Sequence, residues 1–67
     1  MLTDAQAKVL KFIDEFRAQN QYPPTRREIS RHFGWSSDNA AEEHLRALEA
    51  KGRVRINRGV ARGLVVI

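Results

Sequence analysis

The 67-residue sequence predicts a mainly α-helical (α+β) fold, in which three helices are followed by a two-stranded β-hairpin. Three observations carry this prediction. Two capping boxes mark helix starts, apolar residues recur at helical spacing in three segments, and the spacing changes to two-residue alternation near the C-terminus. We expect a single domain over residues 1–67 with a small core, because a chain of this length buries only about 60% of its unfolded surface.

The first helix is predicted over residues 4–19. Thr3 and Gln6 form a T-x-x-Q capping box at its start. Apolar side chains then recur at helical spacing and define one buried face: Val9, Phe12, Ile13 and Phe16. The charges on the other faces are mixed in sign, as on a solvated surface, so we assign this helix a structural role.

The second helix is predicted over residues 26–33. The Pro23-Pro24 pair before it cannot continue a helix. Thr25 and Glu28 form a second capping box, and Gly34 ends the segment. We expect Ile29 and Phe33 to face inward.

Arg26 and Arg27 occupy the first turn of this predicted helix. Cations there oppose the helix dipole at a cost of about 0.3–1 kcal/mol each. A phosphate group bound at the helix start would offset that cost. The alternative is that Glu28 and solvent screen the two charges.

The third helix is predicted within residues 36–52. Ala41, Leu45 and Leu48 form its apolar stripe, and Gly52 stops it. Its first turns are polar, with Asn39, Glu42 and Glu43 expected to point outward. Two helices joined by a short glycine-containing turn form a helix-turn-helix unit. Trp35 is expected to pack into the core at the joint, and Tyr22 is expected to pack its ring on the core with its hydroxyl toward water.

The last fifteen residues predict the hairpin. Residues 53–57 alternate polar and apolar side chains, residues 57–63 contain two glycines and form the connecting loop, and residues 64–67 are β-prone. Three helices followed by such a hairpin make a winged helix-turn-helix domain, with the β-hairpin as its wing. The wing loop carries Arg58 and Arg62.

The charge distribution favours a polyanionic partner. The net charge is +4, and residues 1–24 contribute equal numbers of cations and acids, so the whole excess lies in residues 25–67. Most of these cations are arginines, whose planar guanidinium group can bind a phosphate with two hydrogen bonds. The alternative is that the excess charge serves solubility alone.

Several classes of function are not expected. The chain has no cysteine and only two histidines, so no metal or cofactor site is predicted. No serine has a credible lysine or histidine base, so we predict no enzyme activity and no small-molecule substrate. No apolar run is long enough for a membrane span or signal core, and a cytoplasmic protein is expected.

Three stretches resemble a known family: PPTRREIS, FGWSSDNAAEEHLRALEAKG and the RG pair near the C-terminus. Together they closely resemble the DNA-binding domain of the bacterial SOS repressor LexA, over essentially all 67 residues. The stretch NAAEEHL followed by KG is the most specific part. The resemblance implies a transcriptional repressor of the DNA-damage response, located on the bacterial nucleoid. It also implies double-stranded DNA as the partner, with the third helix in the major groove of a palindromic operator with CTGT-type half-sites.

The resemblance also implies which residues contact DNA. The positions matching the family's base-reading residues are Ser37, Asn39, Ala40, Glu42 and Glu43. Asparagine can pair with adenine, a carboxylate can accept from cytosine, and alanine can touch a thymine methyl group. The alternative for the two glutamates is interaction with the helix dipole. The residues expected to contact phosphates are Arg26, Arg27, Ser36, Arg58 and Arg62.

The chain departs from the family pattern in three places. Ser36 stands where a basic residue is common, and Asp38 stands where proline is common. The self-cleaving domain of the family, which also dimerises the repressor, is not predicted within these residues. We therefore expect a monomer that pairs with a second copy on DNA. A second hypothesis is a winged-helix module that binds another protein without specific DNA readout.

Overall fold

The computed structural model describes all 67 residues and contains three helices and one hairpin. The helices are α1 (Asp4–Asn20), α2 (Arg26–Phe33) and α3 (Asp38–Ala50). They are followed by the antiparallel strands β1 (Val54–Ile56) and β2 (Leu64–Val66). This is the winged helix-turn-helix arrangement that the sequence predicted. No helix combines the length and the apolar character needed to cross a bilayer.

Both predicted capping boxes are present. The hydroxyl groups of Thr3 and Thr25 each accept from the backbone N–H three residues later, and the Gln6 and Glu28 side chains accept from the backbone N–H groups of those threonines. Each box satisfies two amide groups that the first turn leaves without a partner. The starts of α1 and α2 are therefore fixed by local sequence.

Glycine ends two of the helices, as predicted. Gly34 and Gly52 adopt positive φ angles of 72° and 73° after α2 and α3. In both cases the next residue closes the end, because Trp35 N–H donates to Ser30 O and Arg53 N–H donates to Leu48 O. This is the Schellman arrangement, which satisfies otherwise unpaired carbonyl groups.

The core lies where the three helices meet the inner face of the hairpin. Its buried apolar residues are Val9, Leu10, Ile13, Ile29, Ala41, Leu45, Leu48, Val54 and Leu64. The predicted stripes of α1 and α3 belong to it, although Phe12 and Phe16 are only half-buried. Leu10 and Leu64 were not among the expected core residues.

The hairpin packs with one face on the helices and the other in solvent. Val54 pairs with Val66 and Ile56 with Leu64, so that the central pair, Arg55 and Val65, points outward. Asn57 N–H donates to Gly63 O at the base of the loop. A Cβ atom on Gly63 would lie 2.5 Å from the carbonyl oxygen of Asn57, so the loop can close this tightly only with glycine there.

The aromatic side chains form a cluster along α1 and α2. Trp35 packs against the core as predicted, with its ring stacked between Phe33 and His44. Tyr22 meets the prediction only in part. Its ring packs at an angle on the half-buried ring of Phe16, but 44% of the residue is exposed and it does not join the core.

Candidate nucleic-acid interface

The start of α3 lies at the surface, with residues 36–39 exposed. Ser37 caps the helix by accepting from Asn39 N–H at 3.2 Å. Ser30, which is buried in α2, donates to the carbonyl oxygen of Ser37 at 3.1 Å and so fastens the turn between the two helices. These two hydrogen bonds attach the turn to α2 and cap α3, while the side chains of residues 36–39 stay exposed.

The predicted base-reading residues lie together on this tip but differ in accessibility. Ser37, Asn39 and Glu43 are exposed, and Ala40 is half-buried. The side chains of Asn39 and Glu43 take part in no hydrogen bond or ion pair within the protein. Ser36, one of the predicted phosphate-contacting residues, is exposed beside them. The geometry therefore leaves the polar groups of Asn39 and Glu43 available.

Glu42 differs from the other four, because three arginines surround its carboxylate. Oε1 accepts from Nε of Arg26, and Oε2 accepts from Nε of Arg46 at 2.8 Å and from Nη1 of Arg58 at 3.0 Å. Only 17% of the Glu42 side chain is exposed. The arginines come from α2, α3 and the wing loop, so this one carboxylate joins all three parts of the candidate interface.

The electrostatics of this contact follow from its geometry. Burial by itself raises the pKa of the Glu42 carboxyl, but the hydrogen bonds from Arg58, Arg26 and Arg46 outweigh burial and lower the pKa from 4.5 to about 2. Glu42 is therefore ionised throughout the physiological range. Nη2 of Arg58 also lies 3.6 Å from Oε1 of Glu49. The other carboxylate oxygen of Glu49 accepts from Ile56 N–H.

These contacts change the interpretation of the first turn of α2. From the sequence, either bound phosphate or screening by Glu28 and solvent is expected to compensate Arg26 and Arg27. In the structure, carboxylates of α3 face both cations: Glu42 binds Arg26, and Asp38 lies 4.0 Å from Arg27. The Arg27 pair is exposed and therefore weak.

Arg62 fastens the wing loop to α2. Its two terminal nitrogens donate to the oxygens of Glu28 at 2.7 and 3.1 Å, and one of them also donates to Pro23 O at 2.9 Å. The guanidinium carbon lies 4.4 Å from the centre of the Tyr22 ring, a cation–π contact. The hydrogen bond from Arg62 and that from the Thr25 backbone lower the pKa of Glu28. The predicted phosphate contact of Arg62 therefore competes with several partners within the protein.

Sequence reasoning missed Arg46, although a local signal for it exists. Arg46 lies four residues after Glu42 on α3, a spacing at which opposite charges meet on a helix. The other contacts of Glu42 link residues 16 positions apart and have no local signal. Arg31, Arg53 and Arg55 are exposed and form no ion pair, which leaves further free cations on the surface.

Neither histidine is placed for metal binding, and no group of three or more His, Cys, Asp or Glu side chains is arranged to hold an ion. Nδ1 of His44 lies 2.8 Å from Ala40 O, and the ring stacks on Trp35. His44 therefore packs locally at the joint between α2 and α3. His32 stacks on Phe12 with the ring centres 4.0 Å apart.

Comparison with known proteins supplies the family. The sequence profile described as "LexA DNA binding domain" matches residues 1–63. The chain is 49% identical over 63 residues to the LexA repressor of Pseudomonas chlororaphis, covering 94% of this chain and 31% of that protein. It is also 49% identical to the LexA repressor of Halorhodospira halophila, covering 94% and 28% of the two chains. The identity to the LexA repressor of a Marinomonas species is 47% over 66 residues, which cover 98% of this chain and 32% of that protein. The chain thus spans about a third of the length of these relatives.

Proposed function

The chain belongs to the LexA DNA binding domain family, and on this premise we propose that it binds double-stranded DNA sequence-specifically as part of a transcriptional repressor. The observation that carries the proposal is the exposed polar tip of α3, with arginines of α2 and of the wing loop beside it. A helix of this kind fits the major groove, where each base pair presents a distinct pattern of donors and acceptors.

The proposed base-reading residues are Ser37, Asn39, Ala40 and Glu43. Asn39 would pair with the edge of an adenine, and the Glu43 carboxylate would accept from a cytosine amino group. Ala40 would contact a thymine methyl group. A CTGT-type half-site offers all three kinds of edge on its two strands. Glu42 occupies the fifth matching position, and its carboxylate would have to release an arginine before it could accept fully from a base.

The proposed phosphate contacts lie on both sides of the α3 tip. Arg26 and Arg27 belong to the first turn of α2 and Ser36 to the turn before α3, whereas Arg58 belongs to the wing loop. Arg62 keeps Glu28 as its partner in this proposal and contributes by holding the loop that carries Arg58. Phosphate contacts of this kind set register and orientation but carry no sequence information themselves.

Two copies of the domain would occupy a palindromic operator. A single helix-turn-helix module makes few contacts, so we expect weak, salt-dependent binding by one copy and stronger binding by two on paired half-sites. In this proposal the domain is a monomer in solution and pairs only on DNA.

A DNA titration tests the proposal. Duplexes with a CTGT palindrome and with the same bases scrambled are titrated at several salt concentrations by fluorescence anisotropy. Asn39→Ala and Glu43→Ala should each weaken operator binding by about 5- to 200-fold, the range of ~1–3 kcal/mol per base contact, and leave scrambled DNA little changed. Glu15→Ala, at an exposed position on α1, is the matched control and should bind as wild type.

The same titration can refute the proposal. Equal affinity for the two duplexes, or no affinity at low salt, would favour the second hypothesis, a winged-helix module that binds another protein.

A further inference from the structure

We propose that Arg31, in the last turn of α2, is a further phosphate-contacting residue that extends the contact of Arg27 along the same DNA strand. This inference rests on the proposed DNA-binding function. It concerns a residue for which the sequence indicated no role.

The first argument is that the contacts of α2 leave one face of this helix open. Its buried residues face the core, Glu28 contacts the wing loop and His32 stacks on α1. The remaining face carries Arg27 and Arg31, four residues apart, with about 5–6 Å between Cβ atoms at this spacing. Nε of Arg27 lies 4.0 Å from Oδ2 of Asp38, so this face borders the start of α3.

The second argument is the attachment of this part of α2 to the tip of α3. Ser30 donates to Ser37 O and accepts through its own carbonyl oxygen from Trp35 N–H, so the residue before Arg31 is bonded to both sides of the turn. In a helix-turn-helix unit the first helix crosses the phosphate backbone while the second enters the major groove. An arginine on the open face of α2, beside this turn, can therefore reach the strand that borders the groove.

The third argument is electrostatic. Arg31 is exposed and forms no ion pair, and the pair between Arg27 and Asp38 is weak because both side chains are exposed. Like charges four residues apart on a helix repel each other. Phosphate oxygens beside the two guanidinium groups would offset this repulsion, and each group can bind a phosphate with two hydrogen bonds.

The other arginines without an ion pair lie elsewhere in the protein. Arg55 is on the outer face of the hairpin, and Arg53 follows α3 at the end opposite its tip. The 13 residues of α3 span about 20 Å. Arg53 is therefore a matched control, an exposed arginine of the same charge that is distant from the proposed contact.

A salt series tests the inference. Wild type, Arg31→Gln and Arg53→Gln are titrated by fluorescence anisotropy against a duplex with one CTGT half-site and against scrambled DNA. We expect Arg31→Gln to weaken both duplexes by the same factor, about 3- to 10-fold at ~0.1 M salt, and to reduce the slope of log affinity against log salt by about 0.9, the value for one phosphate contact. Between ~50 and ~200 mM salt, wild type should thus lose about 3.5-fold more affinity than Arg31→Gln loses. Arg53→Gln should keep the wild-type slope.

A cation in the last turn of α2 also suits the helix dipole, and two measurements separate this role from phosphate contact. Arg31→Lys keeps the charge and should keep the wild-type slope. Urea denaturation followed by circular dichroism shows how far Arg31→Gln lowers stability. If Arg31→Gln lowers stability but the folded protein binds both duplexes as Arg53→Gln does, the inference is wrong.

The contacted phosphate can be located on the duplex. Phosphates are replaced one at a time by neutral methylphosphonates, and the replacement next to Arg31 should weaken wild type but not Arg31→Gln. If no single replacement removes the difference between the two proteins, the inference is wrong. If wild type binds no DNA even at low salt, the proposed function fails and this inference fails with it. If wild type prefers the CTGT duplex while Arg31→Gln and Arg53→Gln bind alike, only this inference fails.

Discussion

Replacing Glu42 with glutamine should destabilise the protein at neutral pH, and much less at acidic pH. The pKa of Glu42 lies at about 2 in the folded protein against an ordinary 4.5. At ~1.4 kcal/mol per pKa unit, this difference sets an upper limit of about 3 kcal/mol on the free energy of unfolding that Glu42→Gln can remove. The three arginine side chains are 39–69% exposed, and solvent screens such pairs. With glutamine still offering one acceptor, we expect a loss of about 1–2 kcal/mol at pH 7.

The pH dependence follows from the direction of the pKa change. Because the folded-state pKa is below the unfolded value, the stabilisation is complete above about pH 5 and is lost as the pH falls toward 2. At pH 3 the difference in free energy of unfolding between wild type and Glu42→Gln should be less than about half its value at pH 7.

Urea denaturation followed by circular dichroism at pH 3 and at pH 7 measures this gap. Glu43→Gln is the matched control, since the neighbouring carboxylate has no partner, and it should change stability by less than about 0.5 kcal/mol at either pH. A gap of the same size at both pH values, or equal effects of the two substitutions, would show that the arginines do not stabilise the Glu42 carboxylate.

Four further predictions concern the turns, the wing loop and the core. Gln21 takes a left-handed φ of 70° at the end of α1, so Gln21→Gly should raise the free energy of unfolding by about 0.5–1 kcal/mol. Gly52→Ala should lower the free energy of unfolding by about 1 kcal/mol. The φ angle is 73° there and an added Cβ would have no atom within 4 Å, so the cost comes from the backbone conformation and not from a clash. Urea denaturation measures the effects of the Gln21 and Gly52 substitutions. Arg62→Met should speed hydrogen exchange at the amides of Asn57 and Val60 by freeing the wing loop, whereas Arg55→Met, at an exposed position without an ion pair, should not. Leu48 is fully buried, and Leu48→Ala should cost about 3–5 kcal/mol. The whole free energy of unfolding of a 67-residue domain is about 3–10 kcal/mol. A thermal melt should therefore show the Leu48→Ala variant largely unfolded at 37 °C.

Most of the fold could be predicted because its signals are local. The two capping boxes and the glycines after α2 and α3 each specify the backbone within a few residues, and the observed helices end within one or two residues of the predicted positions. The hairpin strands are shorter than predicted, because only residues 54–56 and 64–66 form the ladder. The left-handed turn at Gln21 was missed, since glutamine gives no signal for that conformation.

The electrostatics of the candidate site could not be predicted in the same way. Arg26, Glu42 and Arg58 are separated by 16 residues each, and the packing of α2 and the wing loop against α3 brings them together. The same holds for Arg62, whose contact with Glu28 spans 34 residues. Counting charges along the chain indicated a polyanionic partner but could not reveal that five of the eight arginines in residues 25–67 are paired with carboxylates of the protein.

The stacking of Trp35 between Phe33 and His44 has a practical use. Trp35 is the only tryptophan of the chain, and it lies at the joint between α2 and α3. Its emission therefore comes from the part of the molecule whose geometry decides how α3 is presented. Intrinsic fluorescence can follow this joint during a titration without an added dye, and an unchanged spectrum on saturation would indicate that the two helices dock as a rigid pair.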